Sequence, residues 1–205
     1  MWIRCNGIRE RLMKILLFVT KKYANLLPPF SYLFRKYFGN EEITVVSDKK
    51  LSMHLGEKFS YYLCPIVSTE RKQFIKNFDK KIKIQPLTFI HKLAYISKNS
   101  IVNSGSMVCP NVAISAYTQI KNHCIINRGA TIGHDCIIDS YSTIGPGVNI
   151  AGNVKIGQQT SVGIGANILE NITIGNNCVI GAGALVTKDI PDNETWWGVP
   201  AKYVR

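Results

Sequence analysis

Acidic side chains are scarce in this chain: its 205 residues hold 13 Asp and Glu against 25 Lys and Arg, for a formal net charge of +12. The imbalance sits in the N-terminal half, where residues 1–95 carry 18 Lys/Arg and 7 Asp/Glu, whereas 96–191 carry 5 and 4. A basic half suits an anionic partner, either a phosphate-bearing substrate or an anionic membrane surface at the periphery, and it is equally what a solvated basic face looks like. Nucleic acid is not an expected partner. No stretch approaches the ~18 apolar residues of a membrane-spanning helix, and the run Ile15–Val19 is too short for a signal-peptide core. The six cysteines contain no C-x-x-C pair, which removes the usual zinc and redox spacings and suits a reduced, cytoplasmic protein.

What the chain has in excess is Ile and Val at a fixed interval. From Ile96 to Val186 every sixth residue is Ile or Val, sixteen in succession. The residue after the aliphatic is Gly at 133, 145, 157, 163, 175 and 181, and the fifth position is small or β-branched, as at Ser106, Thr118, Cys124, Ala130 and Cys136. A period of six is neither helical nor simply alternating. It predicts a short strand and a turn per hexad, with three strands closing one triangular coil, and a little more than five coils in all. Aliphatics at position one fill the interior and position five sits beside them. The glycines are expected to relieve the backbone where the chain bends. Cys124, Cys136 and Cys178 then read as packed structural thiols. No insertion interrupts the repeat, so a site is expected in a groove between subunits rather than under a loop.

Before the repeat, the pattern predicts a small α/β unit with parallel strands: strand 14–19, helix 22–38 broken or restarted at Pro28-Pro29, strand 43–47, strand 59–63, helix 69–79 and strand 86–90. The expected division is an α/β substrate domain over 1–90 and the repeat domain with its tail over 91–205. Met13, just before the first strand, reads as a natural start with 1–12 an upstream extension.

Four segments carry a family resemblance: Ile90-His91-Lys92-Leu93-Ala94, the run Ile126-Asn127-Arg128-Gly129-Ala130-Thr131-Ile132-Gly133-His134-Asp135-Cys136, Ala151-Gly152-Asn153-Val154-Lys155-Ile156-Gly157, and Gly198-Val199-Pro200-Ala201-Lys202. The chain resembles the left-handed parallel β-helix acyltransferases and, within them, the sialic-acid O-acetyltransferase and UDP-amino-sugar N-acetyltransferase family. The likeness covers about 90–205 well. It implies a left-handed helix, acetyl-CoA as co-substrate, a trimer with CoA between neighbours, and acetylation of an amino sugar in nucleotide-linked form for surface polysaccharide. O-acetylation of a sugar or sialic acid is the close variant.

Acetyl transfer needs a base to take a proton from the attacking amine or hydroxyl, and a neutral imidazole suits that task near pH 7. His134 is the candidate, at position three of its hexad, with Ala116 and Gly152 one coil to either side. Asp135 follows directly and can hold the other ring nitrogen, fixing the tautomer. The resemblance gives the pair these same roles. Gly152 can offer a backbone N–H to the oxygen of the thioester as it gains charge. The resemblance places acetyl-CoA contacts on Thr143, Gly152, Ile164 and Ala182. Thr143 stands where some relatives have His, and Ala182 where they can have Gly. Lys188, Lys202 and Arg205 are candidates for the CoA phosphates.

Relatives bind a nucleotide-sugar through a Gly-rich turn after the first strand. Here Phe18-Val19-Thr20-Lys21-Lys22-Tyr23 has no glycine, and Lys21 and Lys22 would have to substitute charge for backbone donors. Asp48 and Arg71 match a family acid and Arg on this unit, against readings as a strand-end cap and a helix-surface residue. His91 is expected to be structural and His123 to lie on the surface. Two other readings compete. A metal enzyme needs three convergent His, and only His123 and His134 lie in the repeat, so no metal is expected. A non-catalytic scaffold or sugar-binding module would fit the glycine-less turn and would fail to bind acetyl-CoA.

Overall fold

The computed structural model describes residues 14–19, 42–47, 61–65, 71–79 and 84–205. The chain divides into two compact units between Leu87 and Thr88.

In the N-terminal unit, β1 (Lys14–Val19), β2 (Glu42–Ser47), β3 (Tyr61–Leu63) and β4 (Gln85–Pro86) form one sheet in the order β2-β1-β3-β4, parallel throughout. Helix α1 (Arg71–Asp79) connects β3 to β4, as a parallel pair requires. Tyr62, Leu63, Ile75 and Leu87 are buried here. The expected parallel α/β pattern holds for these elements. The helix expected over 22–38, the turn after Val19 and the segment 1–12 lie outside the described residues.

One expected strand is two. Residues 86–90 do not run as a single strand: Leu87 donates its N–H to Tyr62 O at 2.7 Å, and Phe89 donates to Ser106 O at 2.9 Å in the other unit's sheet. Pro86 cannot donate to the first ladder, and Ile90, six residues before Ile96, already keeps the period of the repeat.

From Phe89 the chain winds as a parallel β-helix with three faces, one of five strands, one of six and one of eight. Each strand sits on the one 18 residues later, as Ile126 on Ile144 and Ile144 on Val162. The aliphatics of position one stack inside: Val108, Ile114 and the rest through Val186 are nearly all buried. There are six turns rather than a little over five, because Phe89–Ile90 begins the eight-stranded face and Thr195–Trp197 extends it. The last turn is two residues short. Ile180 pairs with Trp196 and Ile174 with Ile190, an offset of 16. Trp196 and Ile190 thereby reach the interior, which the Ile/Val series alone does not foresee. The final strand, Lys202–Tyr203, folds back antiparallel on Trp196–Trp197.

The corners correct one expectation. The bend is made at position four of the hexad, where Gly105, Asn111, Gly129, Asp135, Asn153 and their equivalents adopt left-handed φ. The glycines of position two do something else. A Cβ on Gly133 would lie 2.5 Å from the carbonyl carbon of Ala151, and one on Gly145 would lie 2.7 Å from Val162 O. They are needed because the next coil's backbone passes too close for any side chain. Position five closes the corner: Ser142 donates to Gly157 O at 2.6 Å and accepts from Thr160 N–H at 3.1 Å. Cys136 does the same work more weakly, its thiol 3.1 Å from Ala151 O. The expected packed thiols Cys124, Cys136 and Cys178 are fully buried.

His91 opens the first corner and is 3% exposed, with Nδ1 accepting the Leu93 N–H at 3.1 Å. Burial first, and the Lys92 charge second, push its pKa below the usual 6.5. The unfolded chain therefore binds the proton more readily, so this group's contribution to stability is complete above the usual value and is lost as pH falls from there through the lower folded-state value. Thermal unfolding between pH 7.5 and 5 should show a steeper fall in Tm for the wild type than for His91→Asn, whose side-chain oxygen can still accept from Leu93. Equal slopes would show that His91 is not the group that titrates.

Candidate active site

The edge between the six-stranded and five-stranded faces carries a vertical column at position three: Ala116, His134, Gly152, Glu170 and Lys188. His134 projects from it, its side chain 61% exposed. Asp135, in the left-handed conformation at φ 56, turns its carboxylate back toward the ring. Asp is among the few residues that take this conformation cheaply, because its short polar side chain can bond locally. Asp135 Oδ2 lies 2.8 Å from His134 Nδ1. A carboxylate at Nδ1 requires the proton there, which leaves the lone pair on Nε2.

Nε2 points along the column to Gly152. A Cβ on Gly152 would sit 2.6 Å from Nε2 and 2.7 Å from Cε1. Gly152 is not left-handed, so its lack of a side chain serves the approach of the imidazole and not the turn. The two coils are tied beside the ring by Asn153 N–H to His134 O at 2.9 Å. The Gly152 carbonyl accepts from Asn171 N–H at 3.1 Å, while its own N–H has no hydrogen bond among the described residues. A basic nitrogen and an uncommitted N–H thus stand side by side, an arrangement that can remove a proton and receive a developing oxyanion.

The other expected residues fall into groups. Lys188 is on the same edge three coils on, with its ammonium 5.1 Å from the Trp196 ring centroid. Ile164 and Ala182 are exposed on a different edge, between the eight-stranded and six-stranded faces. Between these edges a polar ladder runs up the six-stranded face, from Thr131 to Asn149 at 2.8 Å and from Asn149 to Asn167 at 3.0 Å. Thr143 is on the outer side of the eight-stranded face and is only 7% exposed. Lys202 and Arg205 are exposed in the tail. One chain therefore gathers His134, Asp135, Gly152 and Lys188 on one edge and does not bring Thr143, Ile164 or Ala182 to it.

Arg71 lies in α1 and is 1% exposed, so the helix-surface reading is wrong: this is a buried cation. Asp48, Lys21 and Lys22 lie outside the described residues. His123 is also not on the surface. It is 8% exposed and stacks on Tyr141, centroids 5.2 Å apart and planes 13° from parallel, because the corner column places one ring directly over the other. Burial pushes the Cys109 thiol up to about 11 against a weaker opposing pull from Arg128, which disfavours the thiolate at neutral pH. Among the described residues no three His, Cys, Asp or Glu converge as a metal site, and no helix is long and apolar enough to cross a membrane.

The steric role of Gly152 was not read from the sequence, although a glycine one coil above a position-three histidine is a usable signal. Tyr117, 60% exposed and one coil before Asp135 in the same column, takes a left-handed position where Asn, Asp or Gly is usual.

Residues 117–152 and 153–188 match the bacterial transferase hexapeptide family, six repeats each. The chain is 32% identical over 73 residues to GDP-perosamine N-acetyltransferase of Escherichia coli O157:H7, a stretch covering 36% of this chain and 33% of that protein. It thus spans about a third or less of the curated relatives it matches. Among solved structures it is similar to PerB of Caulobacter crescentus in complex with CoA and GDP-perosamine, at 25% identity and TM-score 0.84, covering 95% of this chain and 99% of that one. It is also similar to the acetyltransferase domain of PglB of Neisseria gonorrhoeae in complex with acetyl coenzyme A, at 25% identity and TM-score 0.81, covering 94% and 99%. With these matches the winding of the prism is that of the left-handed parallel β-helix.

Proposed function

Taking the chain as a left-handed β-helix protein of the bacterial transferase hexapeptide type, we propose that it moves the acetyl group of acetyl-CoA onto the amine of a nucleotide-linked amino sugar. The observation that carries this reading is the placement of His134 Nε2 over Gly152 with Asp135 on Nδ1. In the reaction the amine nitrogen attacks the thioester carbon, and the C–S bond breaks as the amide forms. Nε2 takes the proton released by the nitrogen, and that proton passes to the departing CoA sulfur, returning the imidazole to its neutral form. Asp135 holds the ring in the tautomer that can accept and steadies the imidazolium in between. The Gly152 N–H donates to the carbonyl oxygen while it carries charge.

Ile164 and Ala182 are then contacts for the pantetheine arm, together with Thr143, and Lys188, Lys202 and Arg205 are candidates for the CoA phosphates. Because Ile164 and Ala182 sit on another edge from His134, the donor would run between subunits, each site combining edges of two copies in a cyclic trimer. The N-terminal unit would take the nucleotide part of the acceptor, with Asp48 as a contact and the basic charge of residues 1–95 attracting the diphosphate, while Arg71, closed off from solvent, would lie beneath the surface and not touch it. The names of the relatives favour the N-acetyl over the O-acetyl variant. The setting that supplies both substrates is the cytoplasm, in the assembly of surface glycans.

The test follows CoA thiol release with acetyl-CoA and a panel of UDP-, dTDP-, GDP- and CMP-linked amino sugars, beside the free sugars. The expected result is turnover on one nucleotide class and a mass in solution three times that of the chain. Failure to bind acetyl-CoA at all would overturn the reading in favour of a non-catalytic module.

A further inference from the structure

Acids are few in the repeat: residues 96–191 hold four, Asp135, Asp139, Glu170 and Asp189. Three of them are committed. Asp135 meets the His134 ring, Asp139 accepts the Ser140 N–H at 2.6 Å, and Asp189 accepts the Thr173 N–H at 2.7 Å. Glu170 alone has no side-chain hydrogen bond or ion pair among the described residues, and it is exposed. A cation stands one coil on in its own column, yet the Lys188 ammonium lies over the Trp196 ring and not on this carboxylate.

The coil that carries Glu170 is tied directly to the candidate site. Asn171, the next residue, donates its N–H to Gly152 O at 3.1 Å, which sets Glu170 one coil, ~4.8 Å, beyond Gly152 on the edge. His134 Nε2 already reaches to 2.6 Å from the point where a Cβ of Gly152 would lie. Gly152 puts no side chain between them, so the first side chain beyond Nε2 along the edge is that of Glu170. An amine that gives its proton to Nε2 must come to this same side of the ring. Near pH 7 an aliphatic amine arrives largely as an ammonium, with a full charge and three donors. An exposed carboxylate with no other partner can receive that head without breaking an existing contact.

We propose that Glu170 binds the cationic amine of the acceptor and thereby favours amino sugars over their hydroxyl counterparts. This rests on the acetyl-transfer reading above. Glu170 holds the amine and takes no proton: the ammonium sheds one to solvent, the nitrogen attacks the thioester carbon, and the second proton goes to Nε2. Glu170→Gln in the full chain keeps the shape and removes the charge. With the amine acceptor that turns over best in the panel, it should raise the acceptor KM about fivefold, the upper worth of an exposed ion pair. The KM for acetyl-CoA and the Tm should stay as in the wild type, and the difference in acceptor KM should close as salt is added. The same nucleotide-sugar with a hydroxyl in place of the amine should inhibit both proteins with equal Ki. An acceptor KM equal to that of the wild type would overturn the assignment. So would a Ki for the hydroxyl analogue that rises as much as the KM, since the loss would then be one of shape and not of charge. If the wild type turns over no amine acceptor, the acetyl-transfer reading falls and this one with it. If the wild type is active and Glu170→Gln is its equal, only this one falls.

Discussion

Truncating His134 to alanine should slow acetyl transfer by about 10²–10⁴-fold, the usual worth of a general base, and should do so in kcat with acetyl-CoA still bound. The side chain is well exposed and its one hydrogen bond among the described residues is to Asp135, itself half-exposed. Losing it opens no cavity and strands no buried charge, so thermal unfolding should stay close to that of the wild type. Rate and stability separate here, which is what distinguishes a reacting group from a packed one. Initial rates of CoA release together with melting curves would measure both. A variant that keeps more than a tenth of the wild-type rate would remove His134 from the mechanism.

The second large effect is expected one coil away. Gly152→Ala adds a single methyl at the spot 2.6 Å from Nε2 and 2.7 Å from Cε1 of His134. What it meets is the end of an exposed ring, which can swing aside, so the prism should remain folded. Swinging aside breaks the geometry that matters: Nδ1 leaves Asp135 and Nε2 leaves the neighbourhood of the Gly152 N–H. A loss of about 10²-fold in kcat is expected, since misplacing a reacting group by ~1 Å costs on that scale. Gly133→Ala is the contrasting change. Its methyl would meet backbone, the Ala151 carbonyl carbon at 2.5 Å, and backbone inside a stacked coil has nowhere to go. That variant should lose stability before it loses chemistry. If Gly152→Ala keeps wild-type kcat, the imidazole does not work from the position described.

The repeat was legible because its rule is strict: an interior column admits aliphatics only, and the column returns every six residues from Ile96 to Val186. The candidate base was legible because His134 stands at a position that faces outward, next to an acid. Three things were less so. The left-handed position was misassigned, because glycine is frequent at position two for reasons of contact, while position four meets its need with Asn and Asp as well as Gly. The short last turn was hidden, because two missing residues shift Ile190 and Trp196 out of the period that made the other coils visible. His123 was placed on the surface from its turn position, but a ring at one level of a corner can be covered by a ring at the next, and Tyr141 was not read as its neighbour. The break between Pro86 and Phe89 was missed for a related reason, since the apolar run 86–90 serves two sheets in turn.

The 18-residue offset that sets Gly152 above His134 also makes chain length near the site a quantised variable. A whole coil added beyond Asn171 would satisfy every rule of packing and leave the reacting groups adjacent. The same coil added between His134 and Gly152 would satisfy the packing rules equally well and carry the two apart by one level. Stability would register neither event, and only turnover would distinguish them. Coils can therefore be gained or lost only past the last residue that holds the donor, while the two levels holding His134 and Gly152 stay locked together as a single heritable unit.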